Sequence, residues 1–355
     1  KSAGKNESLD RPTGEYRLME VEEISYIAME NGKPYTGDLF VKKSENPQMS
    51  FPEGIEGVYT TITAAIADLN LRGVGGATTF SLVDATYPSE TYPLTVNIVS
   101  ASLPTAVNTV TIRPNTGVTA SISGASASGP VFRIRNSYVR INGSNSGGTD
   151  RSLTIENTSI TSPQVIAVNS SGTTPLLGVS IRNSNIINGI NTGSAVVVND
   201  FAGTAGYFNN LTIQNNSIQK AYMGVFCNAF VAVGNGSGLL ITENALSTLG
   251  ANAIRFAGIY VQGFDGATVS KNTIANFEGA SGEDDRGVWF ATGTVNSTIE
   301  ANAIHTLKYT GTGGYGCYGA AISTGVTNAN IVVKNNMIYN LSGDGYTYIS
   351  VLGDN

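Results

Sequence analysis

One short motif returns through the second half of the chain, and the asparagine it carries constrains the fold more than any other feature. Aligned on their apolar positions, the segments are LTIENTSI (153–160), VSIRNSNI (179–186), LTIQNNSI (211–218), LLITENAL (239–246), ATVSKNTI (267–274), STIEANAI (297–304) and IVVKNNMI (331–338). The third place is always Ile or Val and the eighth always Ile or Leu. From the third segment on, the sixth place is Asn: Asn216, Asn244, Asn272, Asn302 and Asn336. Successive asparagines are 28, 28, 30 and 34 residues apart, the period of a solenoid. A motif that persists while the step varies puts insertions in loops and keeps strands in register between coils. That describes an all-β, right-handed parallel β-helix better than a rigid helical repeat. Asn at a fixed bend tolerates left-handed backbone, and its amide can bond the equivalent Asn one coil above and below. A stacked asparagine ladder is therefore expected, with Ile213, Ile241, Val269, Ile299 and Val333 in one interior column.

A second pattern, small-apolar-x-apolar, follows each motif: SAVV (194–197), GVFC (224–227), GIYV (258–261), GVWF (287–290) and GAAI (319–322). Each coil thus has at least two strands. Alternation predicts Ala195, Val197, Val225, Cys227, Ile259, Val261, Val288, Phe290 and Ile322 inside. It leaves Val196, Phe226, Tyr260, Trp289 and Ala321 outside, so three consecutive coils present an aromatic residue.

Upstream, NTVTIRPNTGV (108–118) and the stretch 132–159 continue the pattern less regularly. Before them, Ile62, Ala65, Ile66 and Leu69 fall at helical spacing, with Thr60 or Thr61 to cap the start and Gly73 the end. A helix across the open end of a solenoid covers its apolar cross-section. Further upstream, residues 22–29 and 35–43 flank Asn31 and Gly32 and read as a β-hairpin. The resulting division is an N-terminal hairpin arm (1–55), an N-terminal cap with the amphipathic helix (56–105) and the parallel β-helix (106–355).

The remaining composition narrows the function classes. Charged residues are 13% of the 355, and the net charge of -6 comes with no Lys/Arg cluster in the sequence, which argues against nucleic acid and anionic membrane as partners. No apolar run reaches the roughly 18 residues of a membrane span, and residues 1–10 lack the apolar core of a signal peptide. Two cysteines, Cys227 and Cys317, and one histidine, His305, make neither a disulfide framework nor a zinc site. Three coils at about 4.8 Å each separate the cysteines by roughly 14 Å, too far to pair. A link between subunits through Cys317 stays open.

Residues 59–76 (YTTITAAIADLNLRGVGG), NTVTIRPNTGV, 141–159 (INGSNSGGTDRSLTIENTS) and the asparagine rungs resemble the pectate-lyase-like β-helical regions of large secreted surface proteins of Bacteroidetes-type bacteria, often cargo of type IX secretion. The resemblance covers roughly residues 55–355. It implies an extracellular or cell-surface location and a role in adhesion or surface structure.

Parallel β-helices also carry polysaccharide enzymes, so acidic clusters need scrutiny. A lyase needs an acidic calcium cluster and a base, and an inverting hydrolase needs two carboxylates about 6.5–9.5 Å apart. The local candidate is Glu283, Asp284, Asp285 and Arg286. At matching offsets its neighbours are Ile254, Arg255, Phe256 and Ala257 on one side and Tyr315, Gly316, Cys317 and Tyr318 on the other. No carboxylate joins it, and the turn reads as a solvated loop with local ion pairing. No cofactor is expected; calcium is the ion such a turn would take. Asp265 and His305 read as structural. The outward Phe226, Tyr260 and Trp289 would form a flat stripe suited to sugar rings or to another rod, unless residues 310–319 fold over it.

The expected function is a non-catalytic extracellular rod, structural or adhesive, that self-associates into a fibre or tube and has surface glycans as its other candidate partner. The alternatives are a polysaccharide lyase or hydrolase using the acidic turn, and a carbohydrate-binding module using the aromatic stripe.

Overall fold

The computed structural model describes residues 38–41, 58–127, 129–232, 236–344 and 349–353. The chain winds as a right-handed parallel β-solenoid of about eight turns. Each regular coil contributes one strand to each of three long sheets, which among the described residues hold eleven, eight and nine strands. Every pairing between named strands is parallel, for example Thr298–Glu300 on Thr268–Ser270.

The eight-residue motif straddles one corner. In LTIQNNSI, Thr212–Gln214 lies in the eleven-stranded sheet, Asn215 and Asn216 make the bend, and Ser217–Gln219 enters the eight-stranded sheet. The interior column forms as expected, with Ile213 opposite Ile241, then Val269, Ile299 and Val333. It extends the other way through Ile181, Ile141, Ile112 and Phe80.

The asparagine ladder is continuous. Each Nδ2 donates to the next Oδ1, from Asn216 to Asn244 (3.0 Å), Asn272 (3.0 Å), Asn302 (2.9 Å) and Asn336 (2.9 Å). The same Oδ1 atoms accept the preceding asparagine's backbone N–H. Each Nδ2 also reaches a strand carbonyl, as Asn272 does to Ile241 at 3.0 Å. Since an unmade buried hydrogen bond is costly, the ladder lets the chain bend inside the core at every coil. The left-handed conformation falls one residue earlier than the sequence suggested. Asn183, Asn215, Glu243, Lys271, Ala301 and Asn335 have φ between 52° and 60°, and the ladder asparagines do not have positive φ.

Two registers also differ from the sequence reading. Ile155 pairs with Ile186 in the eight-stranded sheet, so the first motif is not a rung of the Ile181 column; the strand before Ile181 there is Val139–Asn142. The two columns share an apolar-x-apolar pattern, which let one pass for the other. In SAVV the register moves by one: Val196 and Val198 face the core opposite Val225 and Cys227, and Val197 lies opposite Phe226. The glycine that opens the later rungs explains the small first place. A Cβ at Gly287 would lie 2.5 Å from the Gly319 carbonyl oxygen and 2.5 Å from Ile304 Cγ2.

The capping helix is Ile62–Arg72, with Ile62, Ala65, Ile66 and Leu69 buried. Thr61 Oγ1 accepts from Ala64 N (3.0 Å), and the Glu90 carboxylate takes the N–H groups of Ile62 and Thr63, satisfying donors left free at a helix start. Gly73 closes the helix at φ 76°. Strands Thr78–Leu82 and Leu94–Val96 already belong to the solenoid sheets. Asp38–Val41, assigned by sequence to the second strand of an N-terminal hairpin, pairs in parallel on both edges, with Val58–Tyr59 and with Thr78–Leu82. The hairpin's other strand, 22–29, and its turn at Asn31 and Gly32 lie outside the described residues, as does the rest of the arm.

Candidate functional site: the outer face of the nine-stranded sheet

The aromatic column and the acidic turn, separate features of the sequence, meet on one surface. In register, the outward column runs Arg133, Ala167, Val197, Phe226, Tyr260, Trp289, Ala321. Ala321 is outward by register yet buried, and Ile322, assigned to the interior, is half-buried.

The stripe is not flat. Phe226 and Tyr260 stack at 5.1 Å between centroids and 15° between planes, so their faces turn toward each other and their edges toward solvent. Trp289 stands at 87° to Tyr260, 4.9 Å away. Its Nε1 donates to Ser323 Oγ (2.7 Å), and the Arg286 guanidinium lies 4.2 Å from its centroid. A sugar ring stacks on an exposed aromatic face, and the Phe226–Tyr260 stack spends its facing surfaces internally. Beside it, Tyr260 Oη donates to Gln262 Oε1 (2.5 Å), and Gln262 Nε2 donates to Asn228 Oδ1 (2.9 Å).

The acidic turn holds this surface together. Arg286 sits opposite Ala257 and Tyr318, the neighbours expected from the offsets. Glu283 Oε1 accepts from Arg255 Nε (2.9 Å) and Oε2 from Tyr222 Oη (3.0 Å). Burial and that bond to Glu283 push the Tyr222 phenol up to about 12. Tyr222 stacks on Phe256 at 4.7 Å, and Arg286 also lies over Phe256. Asp284 accepts the Gly316 N–H (2.8 Å) and lies 3.8 Å from Arg286. Asp285 is different: 4% exposed and opposite Cys317. Burial first, then the charge of Glu283, pushes its carboxyl up to about 8, so it is protonated at neutral pH. Residues 310–319 reach the preceding coil's turn through the Gly316 N–H on Asp284, while the Gly313 N–H donates back to Tyr309 Oη at the end of the strand that leads into the loop.

The other sequence candidates sit in structural roles. His305 stacks on Tyr339 at 4.7 Å, and Asp265 Oδ1 accepts from Asn296 Nδ2. Both cysteines are buried and unpaired; Cys317 Sγ donates to Ser342 O (3.1 Å), which removes it as an exposed thiol for linking subunits. Among the described residues no three His, Cys, Asp or Glu side chains come together as a metal site.

Sequence reasoning missed the other end of the column. The Arg133 and Arg135 guanidinium groups each lie 4.7 Å from the Phe201 ring, and their Nε atoms are buried without a hydrogen-bond partner among the described residues. FRIR, with arginines two apart in a strand, was the available signal; the reach of Phe201 back across two coils had none. No family model matches the chain, and no curated protein or solved structure matches it.

Proposed function

We propose that the chain is a non-catalytic extracellular β-helix rod with a structural or adhesive role, and that the outer face of the nine-stranded sheet is its contact surface. The supporting observation is what the acidic turn does with its charges. Glu283 and Asp284 hold Arg255, Tyr222, Arg286 and the Gly316 amide, and so fix an aromatic, cationic and amide-bearing surface from Phe226 to Tyr318. Ring edges, guanidinium groups and the Gln262 and Asn228 amides offer a glycan both apolar contact and hydroxyl partners. The extracellular placement rests on the resemblance to Bacteroidetes-type surface β-helices.

Self-association is part of the same reading. The ring edges that Phe226, Tyr260 and Trp289 present on that face also suit packing against the same face of a second copy. The enzyme reading draws on one observation, the protonated Asp285, because displaced carboxyl pKa values gather at active sites.

One assay separates these readings. The protein is run through gels containing xylan, β-glucan, chitosan or polygalacturonate, and the same polymers are assayed for new reducing ends and unsaturated sugars. Retardation without product, lost in Tyr260→Ala/Trp289→Ala, is the expected result. Calcium-dependent release of unsaturated sugars, abolished by Asp284→Ala or Asp285→Ala, would replace the proposal with a lyase.

A further inference from the structure

The eleven-stranded sheet carries an unrelated feature on its outer face. A polar cleft of about 480 Å³ opens over five successive strands, and three of its walls are the arginines Arg113, Arg140 and Arg182. They come from three neighbouring strands: Arg140 lies opposite Thr111 on one side and Ser180 on the other, and Arg182 lies opposite Asn142. Arg113, two residues beyond Thr111, continues that register opposite Asn142. Arg113 and Arg182 are thus two strands apart, roughly 10 Å at the usual spacing, with Arg140 between them and displaced along the strand.

None of the three has an ion-pair partner among the described residues, whereas Lys334 on the same sheet faces Glu300 and Lys271, at the bend that follows it, faces Glu243. The lining around them is Thr79, Thr111, Asn142, Ser180 and Thr212, donors without a carboxylate. In a chain with 26 acids against 20 bases, three neighbouring guanidinium groups without a counter-charge are exceptional. Like charges on adjacent strands repel, and a bound anion would offset that repulsion.

We propose that this cleft binds the ester-sulfate groups of a sulfated polysaccharide. Three guanidinium groups spread over neighbouring strands, with hydroxyls between them, suit the tetrahedral oxyanions of a sulfated chain, each with three terminal oxygens, better than planar carboxylates, which one arginine fork can satisfy. The lining has no aromatic residue on which a nucleic-acid base could stack. An extended sugar chain advances by about one strand spacing per unit, so its substituents can follow the coils. The inference takes the extracellular placement from the proposed function but uses a different face.

Affinity electrophoresis of the full chain in dextran sulfate, dextran and polygalacturonate tests it. Strong retardation by dextran sulfate that depends on the three arginines is expected, with any retardation by polygalacturonate through the other face independent of them. Replacing Arg113, Arg140 or Arg182 by Gln should each weaken it by about tenfold, in the range for a lost charge-assisted bond. Lys271→Gln/Lys334→Gln, which removes two cations already paired, and Tyr260→Ala/Trp289→Ala should leave it unchanged. Equal retardation by polygalacturonate with the same arginine dependence would overturn the sulfate assignment. Equal loss in the lysine variant would show general polycation binding, and loss in the aromatic variant would move the site to the other face; either result overturns the proposal. Circular dichroism of each variant, unchanged from the parent, ties the losses to the cleft.

Discussion

The bend between the eleven- and eight-stranded sheets is built in two ways along the rod. In the later coils it is built on the inner column from Asn216 to Asn336. In the earlier coils the amide bonds run through a different set: Asn183 Nδ2 to Asn142 Oδ1 (2.7 Å) and Asn215 Nδ2 to Asn183 Oδ1 (2.8 Å). The two chains change over where Asn215 and Asn216 stand side by side. Below that point Ser184 occupies the inner place, and the corner is supported by the insertion after Asn142, whose Arg151 donates to Asn215 O and Oδ1. One backbone shape is thus held by a repeated side chain in one region and by a folded loop in the other. The repeated version is visible in a sequence, because it recurs; the loop version happens once.

Breaking the inner ladder should have the largest effect. Asn272→Ala removes the bonds of Nδ2 to Ile241 O and Asn302 Oδ1 and takes the acceptor from the Asn244 N–H and from Asn244 Nδ2. With the Asn244 N–H left in the core without that acceptor and the ladder cut on both sides, a loss of about 3–5 kcal/mol in urea unfolding is expected. Ser184→Ala, at the head of the same column, loses a 2.9 Å bond to Arg182 O and leaves the backbone N–H on Asn216 Oδ1. It should cost only about 0.5–1.5 kcal/mol. Equal costs would mean that the two regions do not differ in how they are held.

The regions should also answer pH in opposite directions. In the later coils Asp285 is raised to about 8 in the fold, so between its unfolded value of 3.8 and 8 the native state binds the extra proton. Stability there is full below pH 3.8 and falls as pH rises toward 8, by up to about 1.4 kcal/mol per unit. Asp285→Asn should flatten that slope. In the early insertion Asp150 is held well below the usual carboxylate range: burial works to raise it, but the hydroxyls of Ser144, Ser146 and Ser152 and the Asn145 N–H outweigh that. Its contribution is present above the unfolded value and lost as pH falls. Hydrogen exchange resolved by peptide should show residues 143–152 loosening in acid and residues 283–290 loosening toward pH 8; the same direction in both would contradict these assignments.

What the sequence made legible follows the same division. The later rungs and their interior column rest on periodic apolar positions reinforced by an invariant asparagine, and the helix on apolar spacing with a cap at each end; the structure has all three where the sequence puts them. The errors fall where the polar marker is missing. LTIENTSI has Asn157 at its fifth place and no sixth-place Asn, and its apolar spacing alone fits the wrong sheet as well as the right one. SAVV opens on Ser rather than on the glycine that fixes the later rungs, and it slipped by one. The contact face was half legible: alternation put Phe226, Tyr260 and Trp289 outside, but period two carries no information on ring orientation. The Arg113, Arg140 and Arg182 cleft was invisible because its members are 27 and 42 residues apart in the sequence and become neighbours only through coil register.

The smallest expected effect concerns the residue before the ladder. That place is left-handed in the six coils from Asn183 to Asn335, and it is Asn at 183, 215 and 335 but Glu243, Lys271 and Ala301 between them. Left-handed backbone crowds a Cβ against the following carbonyl, and Asn tolerates it better than other residues with a side chain because its amide bonds locally. Ala301, at φ 53° and exposed, has room to change without disturbing the core. Ala301→Asn should stabilise the rod by about 0.5 kcal/mol, and Ala301→Val, with its branched Cβ, should destabilise it by about 1 kcal/mol. If thermal midpoints rank valine above asparagine, the bend is imposed by the inner asparagines alone, and the outer place has no part in holding it.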